Sequence, residues 1–427
     1  MRIWMVLGVA ALLFWPGVAG AELSWVHGFL QGESAYRLIQ PDRCSDTQRL
    51  ACEEEFVRGG ERLQLEVAPR GDRWRFLGKV EVIHDATNGD IDFDLREGYL
   101  DVRFPTLDFR LGRQIITWGV GDLIFITDVF PKNRVALISG LPLEYLKKGS
   151  DAVNATAHWG GRSLQMVLIP RFEADTIPDA GGRLIFNDPR AAIQARHTDE
   201  PSQTIENVEA ALRLFGNVNG WDLSLSAYRG FFHIPAGQIE PGAQPGGHPI
   251  PSAIRFFFPP LHVYGASTQG AIGSGVLSLE AGYYDSRHDR SGGNPAVENS
   301  SIRLLTGYQR EVIPDLTLSG QYYVQIMEDH AEFLRTRPPG IPRRPLARHV
   351  LTFRLTQLLL HQTLRLSLFI LWSPNERDFY MNPEVKYNVT DETSVALGIN
   401  LFGGPRTTEF GQFEENSNLY FVVRYAF

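Results

Sequence analysis

Long apolar runs are missing from this chain once its first fifteen residues are passed. No later stretch approaches the ~18 residues a membrane-crossing helix requires. The nearest, Leu358 to Trp372, is interrupted by His361, Gln362 and Arg365. A helical membrane protein is therefore excluded. Cysteine is scarce: Cys44 and Cys52 are the two in the chain and lie in one polar stretch. In an exported chain they predict a disulfide closing a short loop, and the lack of a nearby histidine disfavours the alternative of a metal pair. Charge of one sign is not clustered either. The net charge is −8 with basic and acidic residues intermixed, which excludes the basic footprint of a nucleic-acid binder.

Linkers and enzyme signatures are absent too. No Ser/Gly tract, charge block or shift in composition divides residues 22–427, a length that would normally mean two or three soluble domains. No G-x-S-x-G, H-E-x-x-H or phosphate-binding loop occurs. His27, His84, His158, His233, His262 and His361 are scattered and suit polar wall positions. No cofactor and no metal are expected. The calcium alternative at 175–190 lacks ordered ligand spacing.

What is present begins with a secretory signal. Arg2 is its basic start, Ile3 to Trp15 its apolar centre and Ala19-Gly20-Ala21 its small-residue cleavage site, so residues 1–21 are expected to be removed. Beyond it, apolar and polar residues alternate with the period of a strand that is wet on one face. Leu63, Leu65 and Val67 alternate with Arg62, Gln64 and Glu66, and Leu364, Leu366, Leu368, Ile370 and Trp372 form another row. Strands are expected at 24–37, 61–69, 73–85, 91–104, 107–118, 151–159, 162–170, 206–215, 220–229, 260–272, 274–287, 299–311, 315–328, 348–358, 362–373, 378–388, 392–401 and 417–427. That makes eighteen, an even number as single-chain bacterial barrels require, with sixteen as the alternative count.

The connections separate a barrel from a soluble sandwich. Every second one is tight, as at Pro105-Thr106, Gly160-Gly161 and Val389-Thr390-Asp391. The intervening ones are mostly long: 38–60, 119–150, 171–205, 230–259, 288–298, 329–347 and 402–416. Short turns at one rim and long loops at the other predict an all-β transmembrane antiparallel barrel of the bacterial outer membrane, its turns in the periplasm. Leu419, Phe421, Val423, Tyr425 and the terminal Phe427 share one face of the last strand, an ending that resembles the signal read by the barrel-assembly machinery. Trp25, Trp74, Trp159, Trp221, Tyr283, Tyr284, Tyr308, Tyr322, Trp372, Phe379, Tyr380, Tyr387 and Tyr425 lie near strand ends, as aromatic girdles at the lipid interfaces would.

Lipid offers backbone amides no partner, so such a sheet must close on itself. The inner wall then carries Arg62, Glu66, Arg73, Arg75, Lys79, Glu81, Arg110, Arg354, Arg365 and Arg424, since basic residues facing lipid would cost roughly 2–4 kcal/mol each near the midplane. Strand 107–118 breaks the pattern, because Arg113 shares the parity of Phe109 and Leu111. Either a bulge near Gly112 turns Arg113 inward, or the strand has left the membrane by that point.

The connector 119–150 is too apolar for a surface loop. Leu123, Ile124, Phe125, Ile126, Val129 and Phe130 predict that it folds into the lumen as a constriction. Arg110, Arg113, Asp122, Asp128, Lys132 and Arg134 would then set a transverse field across the pore. A loop that merely plugs the mouth is the alternative.

Gly112-Arg113-Gln114, followed by Trp118-Gly119 and Asp122, resembles the strand-to-loop segment of outer-membrane porins related to alginate-export channels. The resemblance implies an 18-stranded channel for anionic or polar solutes. The expected function is passive passage of small polar or anionic solutes, filtered by 119–150, with lipid, the assembly machinery and the solute as partners. An occluded structural or docking barrel is the first alternative and a barrel-embedded lipid or ester hydrolase the second.

Overall fold

The computed structural model describes residues 25–41, 52–179, 182–187, 195–242, 250–338 and 342–427. The expected signal peptide and Cys44 lie outside these residues, and with Cys44 the expected bridge to Cys52.

Hairpin follows hairpin around the molecule. The first seven strands are β1 (Val26–Arg37), β2 (Phe56–Val67), β3 (Trp74–Asp85), β4 (Asp90–Arg103), β5 (Leu107–Gln114), β6 (Ser150–Trp159) and β7 (Arg162–Ile169). A small extramural strand, β8 (Arg196–Asp199), precedes β9 (Glu209–Val218) and β10 (Trp221–Phe231). β11 (Ala236–Gly242) and β12 (Ile250–Phe257) pair with β8 in a separate three-stranded sheet. The wall resumes with β13 (Pro260–Ile272), β14 (Gly275–Ser286), β15 (Ser301–Ile313), β16 (Leu316–Met327) and β17 (Ala347–Leu359). It ends with β18 (Leu364–Ser373), β19 (Asp378–Asn388), β20 (Thr393–Gly403) and β21 (Asn418–Ala426).

Omitting β8, β11 and β12, consecutive strands pair antiparallel in one 18-stranded sheet. β1 pairs with β2 on one side and with β21 on the other, so the sheet is a closed barrel and keeps no edge. At the seam, the Phe427 amide donates to the Gly28 carbonyl and the Gly28 amide to the Phe427 carbonyl, both at 2.9 Å.

The tight connections are confirmed at one rim. Gly160-Gly161 and Asn219-Gly220 both adopt positive φ at their two central positions, which suits the right-handed twist of a two-residue hairpin. The small sheet corrects the expectation that 171–205 and 230–259 are simple loops. Its pairing is parallel between β8 and β12, and such a partnership cannot be read from local pattern.

The alternation sorts side chains as lipid and water demand. Leu30, Val80, Leu100, Leu225, Leu304, Leu351 and Phe421 are exposed on the outside. Gln31, Arg62, Glu81, Asp101, Gln321 and Thr352 are buried on the inside. Trp25, Trp74, Trp159, Tyr308, Tyr322, Trp372, Tyr387 and Tyr425 also face outward. Tyr284 and Tyr380 do not: both are buried in the lumen, so strand-end position alone misplaces them. Leu225 lies midway along β10 and is 60% exposed. Leu225→Arg is expected to lower folding stability in lipid vesicles by ~2–4 kcal/mol, read from denaturant titration of the reconstituted barrel.

Candidate constriction and vestibule

β5 ends at Gln114, four residues earlier than its pattern suggests, so the inserted segment is 115–149. Gln114 is fully buried, and its amide donates to the Ala152 carbonyl at 3.0 Å, tying the strand end to β6. From there the chain turns into the lumen. Trp118 packs edge-on to Phe130 at 5.1 Å, and its indole N–H donates to Gln165 of β7 at 3.0 Å. Ile124, Ile126, Phe130 and Ile138 join the inward-facing Leu261, Val263, Tyr284, Leu305 and Tyr323 in one hydrophobic cluster. A second core inside the barrel thus removes from water the apolar residues that marked this segment.

The far wall holds the segment by polar contacts at its turns. Glu280 of β14 accepts from the Val120 amide (2.9 Å), the Gly121 amide (3.2 Å), and the amide and hydroxyl of Thr127 (2.7 Å each). Gln321 of β16 accepts from the Asp122 amide at 3.0 Å. The Tyr284 hydroxyl donates to the Ile126 carbonyl at 2.7 Å. Asp122 pairs two-pronged with Arg354 of β17, one prong at 2.7 Å. By strand order β17 lies diametrically across the barrel from β5. Only a segment that spans the lumen can make that contact.

The returning limb is pinned to β2, β4 and β21. Short helix α1 (Arg134–Ile138) is capped by Asn133, and a single 3-10 turn follows at Leu143–Leu146. Tyr145 sits between two guanidinium groups, Arg62 at 4.2 Å and Arg96 at 4.5 Å from its ring centre. Glu144 pairs with Arg424 of β21, and Arg62 pairs with the fully buried Glu81. Arg96 reaches this place through a bulge in the wall that lies opposite Lys79/Val80 and not near Gly112.

The expected constriction residues therefore separate. Asp122 lies in the lumen as part of the crossing. Asp128 is buried between Lys132 and Lys147, at 2.8 and 2.9 Å, so Asp128 and Lys132 hold the segment together instead of facing the passage. Arg134 pairs with Asp175 of the following loop at 2.7 Å. Arg110 faces inward, paired with Asp101 at 2.6 Å and stacked on Tyr99 at 4.0 Å. Arg113 is a correction. The β4–β5 and β5–β6 registers run through it unshifted, so it keeps the outward parity of Leu111 and meets Asp151 and Glu173 at 3.5 and 3.4 Å. Charged partners at a strand's outer end answer its charge without a bulge.

Of the wall residues, Arg62, Glu66, Lys79, Glu81, Arg354, Arg365 and Arg424 take inward register positions. Lys79 bridges Glu66 and Glu97 at 3.3 and 3.4 Å. Arg75 is opposite Asp101 near the turn rim, whereas Arg73 lies in the turn before β3 and not in the wall.

On one side of the crossing a cavity of about 380 Å³ remains. Leu141 to Glu144 form its inner boundary, and β17–β21 with Gln31 of β1 form its wall. Its charged lining is Arg354, Arg365, Lys386 and Arg424 with Glu144 and Glu384. Lys386, Glu384, Glu280 and Tyr145 were not singled out by sequence reasoning. Glu280 did carry a signal, as a lone inward acid between Ser278 and Gly282 on an alternating strand.

No family model matches the chain, and no curated protein matches it by sequence. Solved structures match by fold. Pseudomonas aeruginosa OccD3 (OpdP) is similar at a TM-score of 0.53 and 10% identity, over 94% of this chain and 91% of that one. Acinetobacter baumannii OccAB3 is similar at 0.52 and 8% identity, over 94% and 98%. Pseudomonas aeruginosa OccK11 (OpdR) is similar at 0.50 and 11% identity, over 94% and 95%. The chain thus has the fold of an 18-stranded bacterial outer-membrane barrel.

Proposed function

We propose that the chain is a passive outer-membrane channel for small polar or anionic solutes, narrowed by residues 115–149. The observation that carries this reading is the crossing itself. A segment anchored on opposite walls divides the lumen and leaves a charged vestibule beside it. A barrel of this strand number is too wide for side chains alone to fill, so an inserted segment sets what passes. The kinship with alginate-export channels belongs to the same reading, carried by Gly112-Arg113-Gln114 and the turn into the lumen that follows. Assembly through the terminal Phe427 belongs to it as well. Liposomes containing the protein should swell in small sugars and amino acids and more slowly as solute size rises. Liposomes that do not swell in any of them would refute the channel.

One observation favours the occluded barrel. Other loops also fold inward: Phe410 stacks towards Tyr380 at 6.1 Å, and Asn416 accepts from the Ile185 amide at 2.8 Å. The hydrolase reading has one constellation to stand on. His158 meets Ser163 at 2.8 Å and Asp108 at 3.3 Å. Ser163 and His158 are direct cross-strand partners, and the ring is 42% exposed, so polar neighbours on a wet wall account for the row. A serine-directed fluorophosphonate should leave Ser163 unlabelled.

A further inference from the structure

Within the vestibule, charge can be assigned residue by residue. Arg354 is taken by Asp122, Arg365 by Glu384 at 2.8 Å, and Arg424 by Glu144 and the side-chain oxygen Oε1 of Gln31. Each arginine therefore has its own carboxylate. Lys386 has no hydrogen-bond or ion-pair partner among the described residues. Four cations against Asp122, Glu144 and Glu384 leave one positive charge over, and Lys386 is where it resides.

The register shows why nothing neutralises it. Lys386 lies opposite Arg365 on β18 and opposite Ala396 on β20, and Ser394 lies opposite Arg424 on β21. Two small side chains, Ala396 and Ser394, thus separate the ammonium from the next guanidinium and leave open space between them. Lysine's compact ammonium on a flexible stem can follow a passing ion across such a gap, which a guanidinium locked in a two-pronged pair cannot.

We infer that Lys386 is the charge-selecting residue of the passage, admitting small anions over cations between itself and Arg424. This rests on the channel reading above. The carboxylate partners turn the arginines into a neutral lining, so selectivity is set by one residue and not by the sum of the wall.

The test is the reversal potential of single channels in a potassium chloride gradient, for the full chain and for Lys386→Arg, Lys386→Gln and Lys386→Glu. Barrel formation is checked for each by heat-modifiable migration. The intact protein and Lys386→Arg should prefer chloride. Lys386→Gln should lose that preference, and Lys386→Glu should invert it, by about five-fold in permeability ratio per unit charge for an ion passing at contact distance. Arg162→Gln, a residue on the outer side of β7, should leave the potential unchanged. Conductance with the same reversal potential in Lys386→Glu as in the intact protein overturns this inference alone. Absence of conductance in every correctly folded variant overturns it together with the channel reading.

Discussion

Replacing residues 116–148 with a short Gly/Ser turn should raise single-channel conductance several-fold. The segment fills the lumen from β5 to β17, and its apolar residues form the core described above, so removing it exchanges packed side chains for water. The barrel itself should survive. Its eighteen strands are closed by backbone pairing that does not pass through the segment. Arg354 and Glu280 would then face water without partners, a wet environment in which both are tolerated. A replaced variant that folds and conducts at the level of the intact chain would show that the segment does not set the passage.

Glu280→Ala should have the second largest effect. Three amides and one hydroxyl converge on that carboxylate, the Thr127 pair buried and the Val120 and Gly121 amides half-buried. A buried donor left without its acceptor costs about 1–3 kcal/mol, so losing the acceptor of both Thr127 donors weakens the hold on the loop tip by several times RT. Single-channel records of the variant should flicker between the intact level and larger ones. Glu280→Gln keeps an acceptor oxygen but turns an N–H towards donors, so its records should be intermediate. Quiet records at the intact level for Glu280→Ala would mean that the hydrophobic contacts alone fix the tip.

The barrel was legible in the sequence because two-residue periodicity and loop alternation are local properties that lipid and water impose on every hairpin. All eighteen wall strands overlap the stretches the pattern marks, although β5 ends early at Gln114 and β2 begins early at Phe56. The inward course of the connector was legible for the same kind of reason, since Ile124, Ile126 and Phe130 cannot remain in water. Its partners were not. Asp128 and Lys132 carry the charges expected of a filter, yet they are four residues apart and satisfy one another. Glu280 lies 153 residues from Thr127, a distance no window of sequence spans. One faint sign was available: Gly265 and Gly282 are cross-strand neighbours on the inner wall. A Cβ on either would come within 2.3 or 2.5 Å of Thr127 or Ile126, so their bareness is the socket for the tip. Arg113 misled because alternation alone does not reveal where a strand leaves the lipid.

Planar-bilayer recording of the intact protein bears most directly on whether this wall encloses a water path narrowed from within. Discrete, uniform conductance steps, well below those of the variant lacking 116–148, are the predicted result. An electrically silent bilayer, formed with protein shown to be folded and inserted, would contradict it.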